Sequence, residues 1–73
     1  MNNQTIRAIA AHDVLTPDGQ HLEMGVVELD ARGDVKRWYR LEGEQAHTTW
    51  LGGIIEIRNE GESLKAYKNN KPI

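Results

Sequence analysis

Three histidines are the first candidates for chemistry in this sequence. His12, His21 and His47 are spaced by nine and 26 residues, which matches neither the i, i+4 pair of a helical zinc site nor an H-x-H pair on a strand. A histidine beside a carboxylate, as in His12-Asp13, can act as a general base. Neighbours on a strand point to opposite faces, however, so we do not expect Asp13 to orient His12.

The other usual catalytic groups lack their partners. Ser63, the one serine, has no G-x-S-x-G turn around it. Gly52-Gly53 lacks the Lys and Ser/Thr of a phosphate loop and is expected to serve strand entry or close backbone approach. We therefore predict no enzyme activity, no cofactor and no metal site. A weaker hypothesis is an enzyme or metal site assembled across subunits from His12, His21 or His47.

Two pairs of adjacent residues, Trp38-Tyr39 and Trp50-Leu51, remain as candidates for binding. In the strand-like segment Arg37–Arg40, Trp38 and Tyr39 should face opposite sides, with one in the core and the other on a partly covered face. Trp50-Leu51 has the same two interpretations, core packing or a subunit interface, because Trp and Tyr dominate such contacts. The candidate interface residues are Trp38, Tyr39, Trp50 and Leu51.

Composition excludes several classes of partner. Nine Lys and Arg against 11 Asp and Glu give a net charge of -2, so there is no basic field for nucleic acid. No apolar run approaches the roughly 20 residues of a spanning helix. The polar start Met1–Gln4 lacks the features of a secretion signal, and the absence of cysteine excludes a disulfide framework. We expect a cytoplasmic protein that binds neither nucleic acid nor membranes.

Turn residues divide the 73-residue chain into pieces of strand length. Thr16-Pro17-Asp18-Gly19 is typical of a type I turn. Asp30–Asp34 and Asn59–Glu62 each separate two β-rich runs and predict hairpins. Glu42-Gly43-Glu44 ends another run, and residues 44–51 are assigned to a loop or a single turn.

The runs between the turns favour strands, since no window keeps a 3.6-residue period. Apolar residues on both sides of Thr5–Leu15 require cover on both faces, and a change of face near Gly25 predicts a bulge or bend. The sequence thus predicts one all-β domain over residues 1–73, a small β-sandwich or partly open barrel of about five to six strands joined by hairpins. Residues 1–4 and 69–73 should be frayed, unless Leu64–Tyr67 pins the tail to the sheet.

The order of these pieces resembles the N-terminal segment of metal-dependent amidohydrolases over roughly residues 5 to 57. The resemblance rests on four stretches of the sequence, Ile9–Gly19, Met24–Asp30, Gly33–Val35 and Leu51–Ile55. In that family the segment builds part of a small β-sandwich beside the catalytic barrel, and a Pro-Gly step then leads to an H-x-H metal motif. Here Glu56–Gly61 follows instead, so the resemblance implies a strand arrangement and carries over no functional residue.

Small size favours association as the function. In chains this short, the free energy gained by burying apolar surface nearly cancels the conformational entropy lost on folding. Because this chain has no disulfide and no evident metal site, oligomerisation can supply the missing stability. We expect a non-enzymatic β protein that acts by association with itself or with another, unknown protein, and we favour a homodimer with two-fold symmetry. The alternative is a small-molecule or regulatory binding module that uses a Trp38, Tyr39 and Trp50 surface. The sequence leaves open whether Trp38 and Trp50 belong to the core or to an interface.

Overall fold

Residues 7–43 and 47–73 are described by a computed structural model, in which they form strands and turns. The strands are β1 (Arg7–Leu15), β2 (His21–Leu29), β3 (Val35–Arg40), β4 (Thr48–Trp50), β5 (Ile54–Glu60), β6 (Ser63–Lys68) and β7 (Lys71–Pro72). The prediction of an all-β fold is confirmed. These two ranges contain no helix able to cross a membrane.

All seven strands belong to one sheet that folds over on itself. Its order is β3-β2-β1-β5-β6-β7, and β4 also pairs with β1, ahead of β5. Both β4 and β5 run parallel to β1, whereas the other pairs are antiparallel. A bridge between Asp34 and Lys65 joins the β2–β3 turn to β6. Of the two architectures expected, this single curled sheet corresponds to the partly open barrel.

The core lies between the two halves of the curled sheet. Its buried members come from β1, β2, β3, β5 and β6: Ile9, Ala11, Val14, Val27, Leu29, Val35, Ile55, Ile57 and Ala66. Trp38, Leu51 and Ile73 pack against this cluster. On the face of β1 that points away from the core, Ala10 is also buried.

Both predicted hairpins are confirmed. The Asp30 carboxylate accepts hydrogen bonds from the backbone N–H groups of Arg32 (2.9 Å) and Asp34 (3.0 Å), and it lies 3.6 Å from the Lys36 ammonium. Burial by itself would raise the pKa of Asp30, but these partners outweigh it and hold the pKa below its ordinary value. Gly33 closes the turn at φ 84°, a conformation that favours glycine.

The tail forms a further hairpin instead of fraying. Residues 69 and 70, both asparagines, have φ of 54° and 65° and connect β6 to β7, as a tight turn with two left-handed residues requires. Arg58 donates to Asn70 Oδ1 at 2.6 Å, and its guanidinium carbon lies 4.1 Å from the centre of the Tyr67 ring. The tail is therefore pinned to the sheet. Residues 1–4 lie outside the described residues.

One line of bends crosses three adjacent segments of the sheet. Core-facing positions are Ile9, Ala11 and then Val14 on β1, and Leu22, then Gly25 and Val27 on β2. In both strands, successive core-facing residues are three positions apart at this level instead of the usual two. The β1–β2 register is the same on either side of this step of three. The bend expected near Gly25 lies here, with neighbouring Met24 at φ 52°. A separate register shift occurs between Glu28 and Leu29, against β3.

The third bend is a bulge between β4 and β5. Ala10 pairs with Trp50 and Asp13 with Ile54, so four steps along this segment match three along β1. The extra residue lies in Leu51–Gly53, where Gly52 and Gly53 have φ of 74° and 68°. The assignment of residues 44–51 to a loop or single turn was wrong for Thr48–Trp50, because these residues pair with β1. Residues 44–46 lie outside the described residues.

Candidate interaction surface

A row of residues crosses four strands on the face of the sheet that points away from the core, here called the outer face. The row is Tyr39, Val26, Ala10 and Trp50, each directly opposite the next. Directly opposed residues share a face. Val26 and Ala10 are buried, whereas Trp50 remains 49% exposed. The outer face therefore carries a row of mostly apolar residues that is buried in its middle and ends at a half-exposed tryptophan.

Three large apolar side chains are exposed near the line of bends. Trp50, Met24 (42% exposed) and Ile54 (52% exposed) form what we call the Trp50 patch. Met24 occupies the position opposite His12 in the β1–β2 register, and Ile54 pairs with Asp13. The step of three turns consecutive residues outward, and His12 lies on β1 between the strand that carries Met24 and the segments that carry Trp50 and Ile54.

His12 is fixed at the centre of this patch. Its Nδ1 accepts a hydrogen bond from the Gly53 N–H at 3.1 Å, and its ring meets the Trp50 ring edge-on, with centroids 4.9 Å apart at 82°. Because Nδ1 is the acceptor, the proton of the neutral imidazole is on Nε2. His12 therefore positions the Trp50 ring by packing, and its hydrogen-bond partner is a backbone amide.

The bulge that precedes β5 is held from both sides. The N–H groups of Leu51 and Gly52 both donate to the carbonyl oxygen of Ala10, at 2.8 and 3.2 Å. On the other side Lys68 Nζ donates to the carbonyl oxygen of Leu51 at 2.9 Å. These bonds fix the chain directly after Trp50, so the tryptophan projects from a rigid segment.

The four predicted interface residues are divided between the two faces. Trp38 and Leu51 pack against the core. Tyr39 lies on the outer face with Trp50, and its hydroxyl donates to Glu28, which also pairs with Arg37 at 3.1 Å. Alternation along β3 thus puts one aromatic in the core and the other on a partly covered face, as expected. Trp38, Tyr39 and Trp50 do not share one surface.

The histidines are not brought together. His12 lies in the middle of β1, His21 begins β2 and His47 precedes β4 at φ 63°. Within the described ranges, no group of three or more His, Cys, Asp or Glu side chains is arranged to hold a metal ion.

Sequence reasoning did not identify Met24 and Ile54 as members of the exposed patch. The change of face near Gly25 was one available signal, because a strand that changes faces turns two consecutive residues outward. The adjacent pair Ile54-Ile55 was another, since only one of two neighbouring isoleucines on a strand can face the core. Ile55 is fully buried and Ile54 is not.

Comparison with known proteins identified no relative of this chain. No family model, curated protein or solved structure matches this chain.

Proposed function

We propose that this chain acts by associating with a second copy of itself, with Trp50 at the contact, and that it carries out no catalytic step. The observation that supports this is the exposure of Trp50, at 49%, on a rigid segment beside two further exposed apolar side chains. Tryptophans held at a surface are the side chains that most often anchor protein contacts. A two-fold arrangement lets the same patch serve both copies.

The expected contribution of Trp50 follows from its exposed area. A tryptophan presents up to about 250 Å², so half exposure leaves roughly 100 Å² to be covered in a complex. At about 25 cal/mol per Å², covering it contributes ~2.5 kcal/mol per copy. Association costs about 4 to 15 kcal/mol in lost translational and rotational freedom, so the ~5 kcal/mol from the two copies together offsets only the low end of that range. Trp50 therefore supplies a large share of the binding free energy but requires further contacts beside it.

Sedimentation equilibrium of Trp50→Ala tests the proposal. We expect the dissociation constant to rise at least tenfold relative to the unsubstituted chain, and the melting temperature to depend less steeply on protein concentration. Glu62→Ala, in the exposed turn between β5 and β6, is the matched control and should leave association unchanged. Equal association of Trp50→Ala and the parent chain would refute a contact at Trp50.

The resemblance to the amidohydrolase N-terminal segment enters this proposal as a strand arrangement alone. No H-x-H follows Gly53 in the sequence, so the resemblance supports no hydrolytic role for these residues. A function through association is compatible with it, because that segment lies against other chain in the family it resembles.

A further inference from the structure

Among the described residues, three strands, β3, β4 and β7, have no strand partner along the whole of one side, and these three edges differ in charge. Edges with free N–H and C=O groups invite pairing with another chain, and proteins commonly block them with charges or proline. The β3 edge carries Lys36, Arg37 and Arg40, and β7 consists of Lys71 and Pro72. Strand β4 is Thr48-Thr49-Trp50, without charge or proline. Of these edges only β4 lacks protection.

The backbone of β4 directs hydrogen-bonding groups to its free side. In a parallel ladder, alternate residues of a strand direct both their N–H and C=O groups to the same neighbour. The Leu51 N–H bonds to Ala10, so Thr49, two residues earlier, also faces β1. Thr48 and Trp50 therefore direct their N–H and C=O groups away from β1.

From these observations we infer that β4 pairs antiparallel with β4 of a second copy, about a two-fold axis at Thr49. The inference rests on the self-association proposed above and specifies its geometry. Thr48 and Trp50 then pair with Trp50 and Thr48 of the partner subunit, through four backbone hydrogen bonds. These bonds supply the contacts that Trp50 alone lacks.

The absence of charged side chains on β4 allows this edge to pair with β4 of a second copy. Pairing β4 with itself brings no like charges together, whereas pairing β3 with itself would oppose several cations. The pairing also covers Trp50, which lies opposite a threonine on the same face. Met24 lies on β2, two strands away and thus about 10 Å from β4, and remains outside the contact.

In this dimer, Thr49 lies opposite Thr49 of the partner subunit as a non-hydrogen-bonded pair. Such pairs have Cα atoms about 4.5 Å apart, within the range that a disulfide bridges. Thr49 is exposed and the chain has no cysteine. The single-cysteine variant Thr49→Cys should therefore oxidise in air to a covalent dimer.

The experiment compares Thr49→Cys with Glu62→Cys in the full chain, by non-reducing electrophoresis and sedimentation equilibrium. We expect more than half of Thr49→Cys to cross-link at concentrations where Glu62→Cys remains mostly uncross-linked. Met24→Gln should leave the dissociation constant of the otherwise unsubstituted chain within twofold.

The possible failures are distinguishable. A parent chain that dimerises while Thr49→Cys cross-links no faster than Glu62→Cys would overturn the β4 pairing and leave self-association standing. Weakening by Met24→Gln as large as that by Trp50→Ala would overturn it too, and would indicate packing between outer faces. A monomeric parent chain would refute the proposed function and this inference together.

Discussion

Replacing Gly25 with alanine should destabilise the fold through a clash across the line of bends. A methyl carbon at this position would lie 2.6 Å from Val14 Cγ2 and 3.1 Å from Val14 Cβ. Gly25 is opposite Ala11 in the register, and Val14 approaches it only because both strands take a step of three at this level. Inserting a methyl group into a packed core typically costs about 1 to 3 kcal/mol.

The clash can be separated from other effects by a double-mutant cycle. Val14→Ala alone should cost about 2 kcal/mol, because two buried methyl groups are lost and a cavity remains. In the double variant the new methyl group of residue 25 occupies part of that cavity. We therefore expect the double variant to be destabilised by at least about 1 kcal/mol less than the sum of the single changes.

Equilibrium urea denaturation of the four proteins measures this coupling at a fixed protein concentration. Val35→Ala is the control partner for Gly25→Ala, because Val35 is five residues along β3 from the residue that pairs with Gly25, or roughly 17 Å. That pair should be additive within about 0.5 kcal/mol. If the effects of Gly25→Ala and Val14→Ala were also additive within about 0.5 kcal/mol, the close approach of Gly25 to Val14 would be refuted. The step of three residues in β1 and β2 would be refuted with it.

Further expectations concern the turns, pH and metal. Gly33 is at φ 84° with open space around it, so Gly33→Val should cost about 1 to 3 kcal/mol in backbone strain, and Gly33→Asn less; an unchanged melting temperature for Gly33→Val would remove the turn assignment. The lowered pKa of Asp30 contributes stability above the ordinary carboxyl pKa that is lost as pH falls through the folded value. Urea midpoints of the parent chain should thus fall with acidification below about pH 4, and Asp30→Asn should flatten this part of the profile; identical profiles would contradict it. Elemental analysis after gel filtration should find no stoichiometric zinc or iron; one metal ion per chain would contradict this prediction, and its loss on substitution of His12, His21 or His47 would identify the ligand.

The sequence predicted what is locally encoded in this fold. The hairpin at Asp30–Asp34 follows from an aspartate that caps its own turn and a glycine at positive φ, both of which act within five residues. Alternation along β3 was sufficient to separate Trp38 from Tyr39. The tail hairpin was also locally encoded, since the two asparagines at 69 and 70 tolerate left-handed conformations, but this turn was not recognised.

The remaining features depend on pairings between distant segments. Thr48–Trp50 becomes a strand because it adds to β1 about 40 residues earlier in the chain, and no neighbouring residue specifies that parallel pairing. The line of bends likewise requires β1, β2 and the Leu51–Gly53 bulge to coincide in level. The Trp50 patch exists only where these bends meet, so its members could not be grouped from their spacing in the sequence.

Sedimentation equilibrium of the unsubstituted chain tests self-association most directly. Each chain has a mass of 8.3 kDa. Across a dilution series that reaches tens of micromolar, we expect a reversible transition to twice that mass, shifted to higher concentration by Trp50→Ala. A single species of 8.3 kDa over the whole series would contradict it.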